Sequence, residues 1–247
     1  MQNDIIFKKN DSIAEIILNR PNKLNALTFD MVDRISEIGE DLKKEKQLKL
    51  VIIKGSKNVF SSGIDINQFH DLKENFNQID NLLKEEKPFS YNRLQKSCII
   101  WKTLNVPVIS ILEGPVYGAG LQLALGTDIR IAANDAKFSI MEIKWGLIPD
   151  MGISQLIPSL LTYDKALELA LTAKIIKAPK AKKLGLVTKT VSDPYKKLDE
   201  YIKIFNNMSI EAIKDIKFLF SKMWEKDKNL LLLEAKIQKK LLYKKIK

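Results

Sequence analysis

The sequence has very little of the two side chains that most often mark nucleophilic or metal chemistry. Its 247 residues include one cysteine, Cys98, and one histidine, His70. A single thiol excludes an internal disulfide framework, and a buried thiol in a reducing compartment is the plain reading. A histidine triad or a His-rich metal site would have to be built around His70 alone, with Asp71 beside it; a surface position suits it better, and no metal site is expected. Long apolar runs are missing as well. No stretch approaches the roughly 20 apolar residues of a membrane span. The opening segment MQNDIIFKKNDSIAEIILNRP breaks each short apolar run with charge, unlike a signal peptide. A soluble, cytoplasmic protein without a membrane span is the expectation. There is no internal repeat, low-complexity linker or Pro/Gly-rich boundary.

What is present is ordinary globular composition, 45% hydrophobic and 29% charged, with enough length for one large domain. The net charge of +11 is unevenly placed. Residues 226–247 carry eight lysines against Asp227 and Glu234, which is more than half of the net charge. Such a tail suits nucleic acid, an anionic membrane or a phosphorylated cofactor, and a solvated helix face is the simplest alternative.

Short β-branched runs at Ser12–Leu18, Leu48–Ile53, Val106–Leu112 and Asp128–Ala132 predict strands. Thr28 opens a helix in which Met31, Ile35 and Ile38 share a face. A long helix is expected near Gln78–Thr103 and a short one after Gly118. The alternation points to an α/β arrangement with parallel strands. After about Val191 the strands stop, and Tyr195–Phe205, Ser209–Trp224 and Lys228–Lys245 read as helices. In the last of these Leu230, Leu233, Ile237 and Leu241 form an apolar stripe. The division is therefore 1–191 for the core and 192–247 for a helical C-terminal region.

Three segments gather residues suited to chemistry. Phe60-Ser61-Ser62-Gly63-Ile64-Asp65-Ile66 and Gly114-Pro115-Val116-Tyr117-Gly118-Ala119-Gly120 each lie between a strand and a helix. Glycines there expose backbone N–H groups where negative charge is favoured. Two such loops side by side would aim two N–H groups at one oxygen, as an oxyanion hole does; each alone is an ordinary tight turn. In the third segment, Met141–Gly152, Glu142 sits among Phe138, Ile140, Met141, Ile143 and Trp145. That setting disfavours its charge and suits acid–base work, whereas a salt bridge to Lys144 or Arg130, or a place as a helix N-terminal carboxylate, would make it structural. Asp150, after Pro149, has the simple reading of a cap for a helix beginning at Met151.

Taken together, FSSGIDI, GPVYGAG and EIKWGLIPDMG resemble, in order and spacing, the crotonase (enoyl-CoA hydratase/isomerase) family. IAEIILNRPNKLNAL and TAKIIKAPKAKKLGLVTKTV resemble its opening strand and its later helical element, so the likeness runs from about Ile13 to Val191. The resemblance implies an α/β spiral of ββα units followed by a helical oligomerisation region, assembled as a homotrimer or a dimer of trimers. It implies an acyl-CoA substrate, with coenzyme A entering as part of that substrate and no separate cofactor. The oxyanion hole would be the N–H groups of Ile64 and Ala119. Among the CoA-binding positions, Lys23 would approach the CoA phosphates, Ser62, Gly63, Ile66 and Gly118 would lie along the ligand, and Asp65 would belong to the adenine-side loop in a structural more than a chemical role. Glu142 would be the acid/base, Asp150 its auxiliary and Gln122 an orienting group.

One position departs from the family pattern. Hydratases of the family hold water between two glutamates, and the first of these falls on Gln122, whose amide cannot take a proton. Double-bond isomerisation of a 3-enoyl or dienoyl thioester therefore stands beside hydration. A non-catalytic CoA-thioester-binding protein is a further reading. Nucleic-acid binding ranks last, because the lysine tail lacks interleaved aromatics.

Overall fold

Alternating β-formers at the start of the chain close into a hairpin. β1 (Ile5–Asn10) pairs antiparallel with β2 (Ile13–Leu18). The computed structural model describes residues 4–68, 76–85, 91–223 and 229–246. Further strands follow in chain order as β3 (Leu50–Gly55), β4 (Val108–Leu112), β5 (Pro115–Tyr117), β6 (Ile129–Ala133), β7 (Lys137–Ser139), β8 (Ile176–Lys177) and β9 (Lys189–Val191). The helices are α1 (Phe29–Leu42), α2 (Phe76–Leu83), α3 (Arg93–Thr103), α4 (Ala119–Gly126), α5 (Ile153–Leu156), α6 (Tyr163–Thr172), α7 (Ala178–Leu184), α8 (Pro194–Asn206), α9 (Ile210–Met223) and α10 (Asn229–Ile246).

The large sheet has the order β1-β2-β3-β4-β6-β9, parallel from β2 onward. All five residues of β4 and five of the six in β3 are buried, as continuous apolar runs in a sheet covered on both faces require. A second sheet, β5-β7-β8, is extended by single bridges from Leu27 to Ile64 and from Ser61 to Val116. Successive stretches of chain thus contribute a long strand to one sheet, a short strand or bridge to the other, and a helix. This is the α/β spiral of ββα units that the resemblance implied. Its repeat is geometric and leaves no trace in sequence, because each turn asks only for a buried strand, a small-residue bend and an amphipathic helix.

Thr28 caps α1 by accepting the Met31 N–H at 3.2 Å, and Met31, Val32, Ile35, Ile38 and Leu42 are buried beneath it. Each such side chain contributes about 1.5–3 kcal/mol by leaving water. α1 packs on α3, and α3 on α4. The fully buried Phe60, Trp101 and Phe138 lie in the same core.

Two helix expectations need correction. The long helix near Gln78–Thr103 is two helices. α3 is started afresh at Asn92 by a capping box, in which Asn92 and Gln95 each bond the other's backbone N–H at 2.9 Å. In α10 the buried face is a different stripe from the one the leucines suggest. Glu234, Gln238 and Leu242 are 5%, 4% and 5% exposed, while Ile237 is 39% exposed and Leu241 is half-buried. The side chains of Leu230 and Leu233 lie outside the described residues, as do His70 and Asp71. Burying two polar side chains costs little where waiting backbone N–H groups satisfy them, and α10 meets such groups. Among the described residues no helix is long and apolar enough to cross a membrane.

Candidate active site

Between the two glycine loops, the Glu142–Asp150 segment and α10 lies a cavity of about 80 Å³. Nine of the sequence-predicted positions line it: Ser62, Gly63, Ile64, Ile66, Gly118, Ala119, Gln122, Glu142 and Asp150. Phe29, Leu82, Leu83, Leu94, Leu147 and Leu242 make the rest of its wall largely apolar.

The loops are built from backbone. Leu27 donates to Gly63 O and accepts from the Asp65 N–H, both at 2.8 Å. With both flanking bonds made to Leu27, the N–H of Ile64 between them faces the opposite way, because alternate backbone groups of an extended chain point to opposite sides. On the other loop Gly118 donates to Ser139 O at 3.0 Å, and Ala119 follows as the first residue of α4, where an N–H has no partner within the helix. Gly63 has φ +107° and Gly118 φ +51° with ψ −122°. A β-carbon on Gly63 would stand 3.2 Å from Tyr117 O, and one on Gly118 would stand 3.4 Å from Glu142 Oε1. The glycines are thus what lets the two loops and Glu142 meet.

The carboxylate side is built from side chains. Glu142 opens the 3-10 turn Glu142–Trp145, and its Oε1 accepts from Gln122 Nε2 at 2.7 Å. Gln122 Oε1 accepts the Met151 N–H at 2.8 Å, which fixes the orientation of its amide. Gln122 therefore ties the Glu142 turn to the Asp150 loop. A carboxylate at position 122 could accept the second bond but could not donate the first. The Oε2 of Glu142 and the Oδ2 of Asp150 are enclosed and have no hydrogen-bond partner among the described residues. Burial raises the Glu142 pKa above the usual carboxylate range, although the Gln122 bond works against it. Asp150 is raised further, first by burial and then by the charges of Glu234 and Glu142.

Over residues 8–247 the sequence matches the family described as enoyl-CoA hydratase/isomerase. The chain belongs to that family. A peroxisomal Delta(3,5)-Delta(2,4)-dienoyl-CoA isomerase of Arabidopsis thaliana is 32% identical over 189 residues, 75% of this chain and 68% of that protein. "Probable enoyl-CoA hydratase EchA12" of Mycobacterium tuberculosis is 32% identical over 183 residues, 73% of this chain, and the chain spans 63% of that relative's length. The fold matches a solved enoyl-CoA hydratase from Bacillus halodurans with a TM-score of 0.86 at 20% identity, covering 99% of this chain and 97% of that one.

Two alternatives that a sequence reading leaves open are excluded by geometry, while Glu142 does stand at the start of its 3-10 turn. Arg130 does not pair with Glu142; its guanidinium donates to Leu186 O at 2.7 Å and Thr127 O at 2.6 Å. Asp150 does not cap a helix, since α5 begins at Ile153 behind Gly152. Ile143, expected around Glu142, is 41% exposed on the 3-10 turn, whereas Trp145, 50% exposed, lines the cavity with Glu142, and Phe138 and Ile140 are buried in the core.

Two predicted contacts fall outside the lining. Asp65 accepts from Arg20 Nη2 at 3.0 Å and from the Asn67 N–H at 3.1 Å. Burial opposes its charge, but these two bonds together with the charges of Arg20 and Lys23 outweigh burial and hold its pKa below the usual value, so Asp65 braces the loop. Lys23 is exposed on the 3-10 turn Pro21–Lys23, next to Leu24, whose carbonyl accepts the Ser62 N–H at 3.0 Å. It stands beside the first loop, at the edge of the site.

Sequence reasoning missed Glu234 and Gln238. Both come from α10 and both touch the Asp150 loop. Glu234 Oε2 accepts the Gly152 N–H at 2.9 Å, its Oε1 accepts the Ser154 N–H at 2.6 Å, and Gln238 Oε1 accepts the Ile148 N–H at 3.1 Å. The available signal was a pair of polar residues four apart inside an apolar helix. It was hidden by the lysines around it.

Proposed function

We propose that the protein isomerises the double bond of an enoyl-CoA thioester. In this reading the Ile64 and Ala119 N–H groups bind the thioester oxygen as it gains charge, and Glu142 removes the proton from carbon two. The electron pair moves through the conjugated chain onto the oxygen and returns as a distant carbon takes a proton. For a 3-enoyl chain Glu142 itself returns the proton, at carbon four. For a 3,5-dienoyl chain the receiving carbon is carbon six, and Asp150 is placed to supply it. Coenzyme A is part of the substrate, and no separate cofactor takes part. Lys23 at the edge of the site is suited to a phosphate of the CoA moiety.

The observation that carries this choice is Gln122, which spends its donor on Glu142 and its acceptor on Met151. It is a brace and not a second base, so only one base remains where hydration by the two-glutamate route needs two. The dienoyl-CoA isomerase relative is consistent with this choice. Hydration is the second reading, favoured by the EchA12 relative's name.

The test is a spectrophotometric assay on 2-enoyl, 3-enoyl and 3,5-dienoyl thioesters, with Glu142→Gln as control. Gain or shift of conjugation from the 3-enoyl or dienoyl substrates is expected, lost by about 10²- to 10⁴-fold in the variant. Consumption of only the 2-enoyl substrate would sink isomerisation in favour of hydration. We also infer a trimer-based assembly. It is supported by the exposed Phe218, Leu219 and Met223 of α9, each more than half accessible in the single chain.

A further inference from the structure

Asp150 is held more firmly than any reading of its own segment explains. It is 5% exposed, and four backbone N–H groups on the two flanks of its carboxyl are taken by side chains from elsewhere in the chain. Gln238 takes that of Ile148, Gln122 that of Met151, and Glu234 those of Gly152 and Ser154. Glu234 also accepts from Gln95 Nε2 at 3.3 Å; burial raises its own pKa, and the bonds from Ser154, Gly152 and Gln95 work against that rise in favour of the carboxylate.

We propose that Glu234, reaching in from the last helix, is a positioning residue that fixes the Asp150 loop and places a negative charge beside it, making Asp150 the proton donor of the pair. This deepens the isomerase reading and rests on it. The titratable groups that act on Asp150 are Glu142 on the 3-10 turn and Glu234 on α10; Cys98 on α3 is a thiol that burial first, and then these carboxylates, keep neutral, α4 presents the neutral Gln122 and α10 also the neutral Gln238. No cation is among them in the described residues. Burial and the two carboxylates push in one direction, towards a neutral Asp150, and only hydrogen bonds such as that from Gln238 oppose them.

The proton count closes. Glu142 enters as carboxylate and Asp150 as acid. The C–H bond at carbon two breaks to Glu142, and a C–H bond forms at carbon six with the proton of Asp150. The proton on Glu142 then returns to Asp150, restoring both. Without Glu234 the loop loses two anchors and Asp150 loses a neighbouring charge.

The experiment combines infrared difference spectra over pH with steady-state kinetics. The protonated-carboxyl band of Asp150 is assigned by its disappearance in Asp150→Asn. In the wild type this band is expected at neutral pH. In Glu234→Gln its midpoint should move to lower pH, the basic limb of the kcat profile should follow, and kcat should fall roughly ten- to a hundredfold while KM changes little. Absence of the band from the wild type at neutral pH overturns the proposal without any variant at position 234. An unmoved midpoint and limb in a folded Glu234→Gln overturn it as well. The spectra need no turnover, so an isomerase reading refuted by the substrate panel would leave this assignment still decided.

Discussion

The two sides of the cavity are held by different kinds of chemistry. On the glycine side Ile64 and Ala119 are aimed by backbone bonds made within neighbouring turns of the spiral: Leu27 to Gly63 and Asp65, and Ser139 to Gly118. On the carboxylate side Glu142 and Asp150 are aimed by side chains, Gln122 from α4 and Gln238 and Glu234 from the last helix, far along the chain. The first arrangement follows from where glycine can go and tolerates few substitutions. The second depends on matching donors with acceptors, so it can be retuned one side chain at a time.

The comparison is broken most severely from the glycine side. Gly118→Ala should lower kcat by about 10²- to 10³-fold, the scale of losing one oxyanion donor, because its β-carbon meets Glu142 Oε1 and its backbone angles exclude a side chain. Strain of about 1–3 kcal/mol should accompany this loss. A thermal melt beside the kinetics would register both effects. Unchanged kcat would mean that the loop does not aim the donor.

A middle-sized effect is expected from Gln122→Glu. The new carboxylate still accepts from Met151 but faces Glu142 as a like charge in place of a donor. If the protein isomerises as proposed, the acidic limb of its pH profile should move to higher pH, since Glu142 becomes harder to ionise. If hydration appears in this variant, position 122 alone separates the two chemistries.

The smallest effect sharpens the comparison through stability. Asp150 has a raised pKa in the folded state, so its contribution to stability is full below the unfolded value, near 3.9, and is lost as pH rises through the folded value. Asp150→Asn removes that loss. The melting temperature of the variant relative to the wild type should therefore climb as pH is raised from near 3.9 towards the folded value and level off above it, and a difference flat in pH would contradict the assignment.

How much could be read in advance follows the same division. The strands β2, β3, β4 and β6, the Thr28 cap and both glycine loops were legible, because each rests on residues adjacent in sequence. The three-residue strands β5 and β7 and the two-residue β8 were not, since pairing with other turns is all that makes them strands. The break between α2 and α3 was written at Asn92 and Gln95, but the helical pattern on either side of it concealed it. Gln122 could be seen as a departure, yet its partner could not, because its spacing from Glu142 carries no helical or strand period.

By itself the sequence determined the family, the spiral fold and the small-residue loops, and it singled out Glu142 and Asp150 as candidates. These depend on local backbone freedom, on apolar runs and on motif order. Only the tertiary structure decided that Gln122 braces Glu142, that Asp65 braces its loop, and that Glu234 and Gln238 of the last helix hold Asp150. A hydrogen bond between residues dozens of positions apart leaves no periodic mark in the chain. It exists only once the spiral has closed and the last helix has packed against α2 and α5.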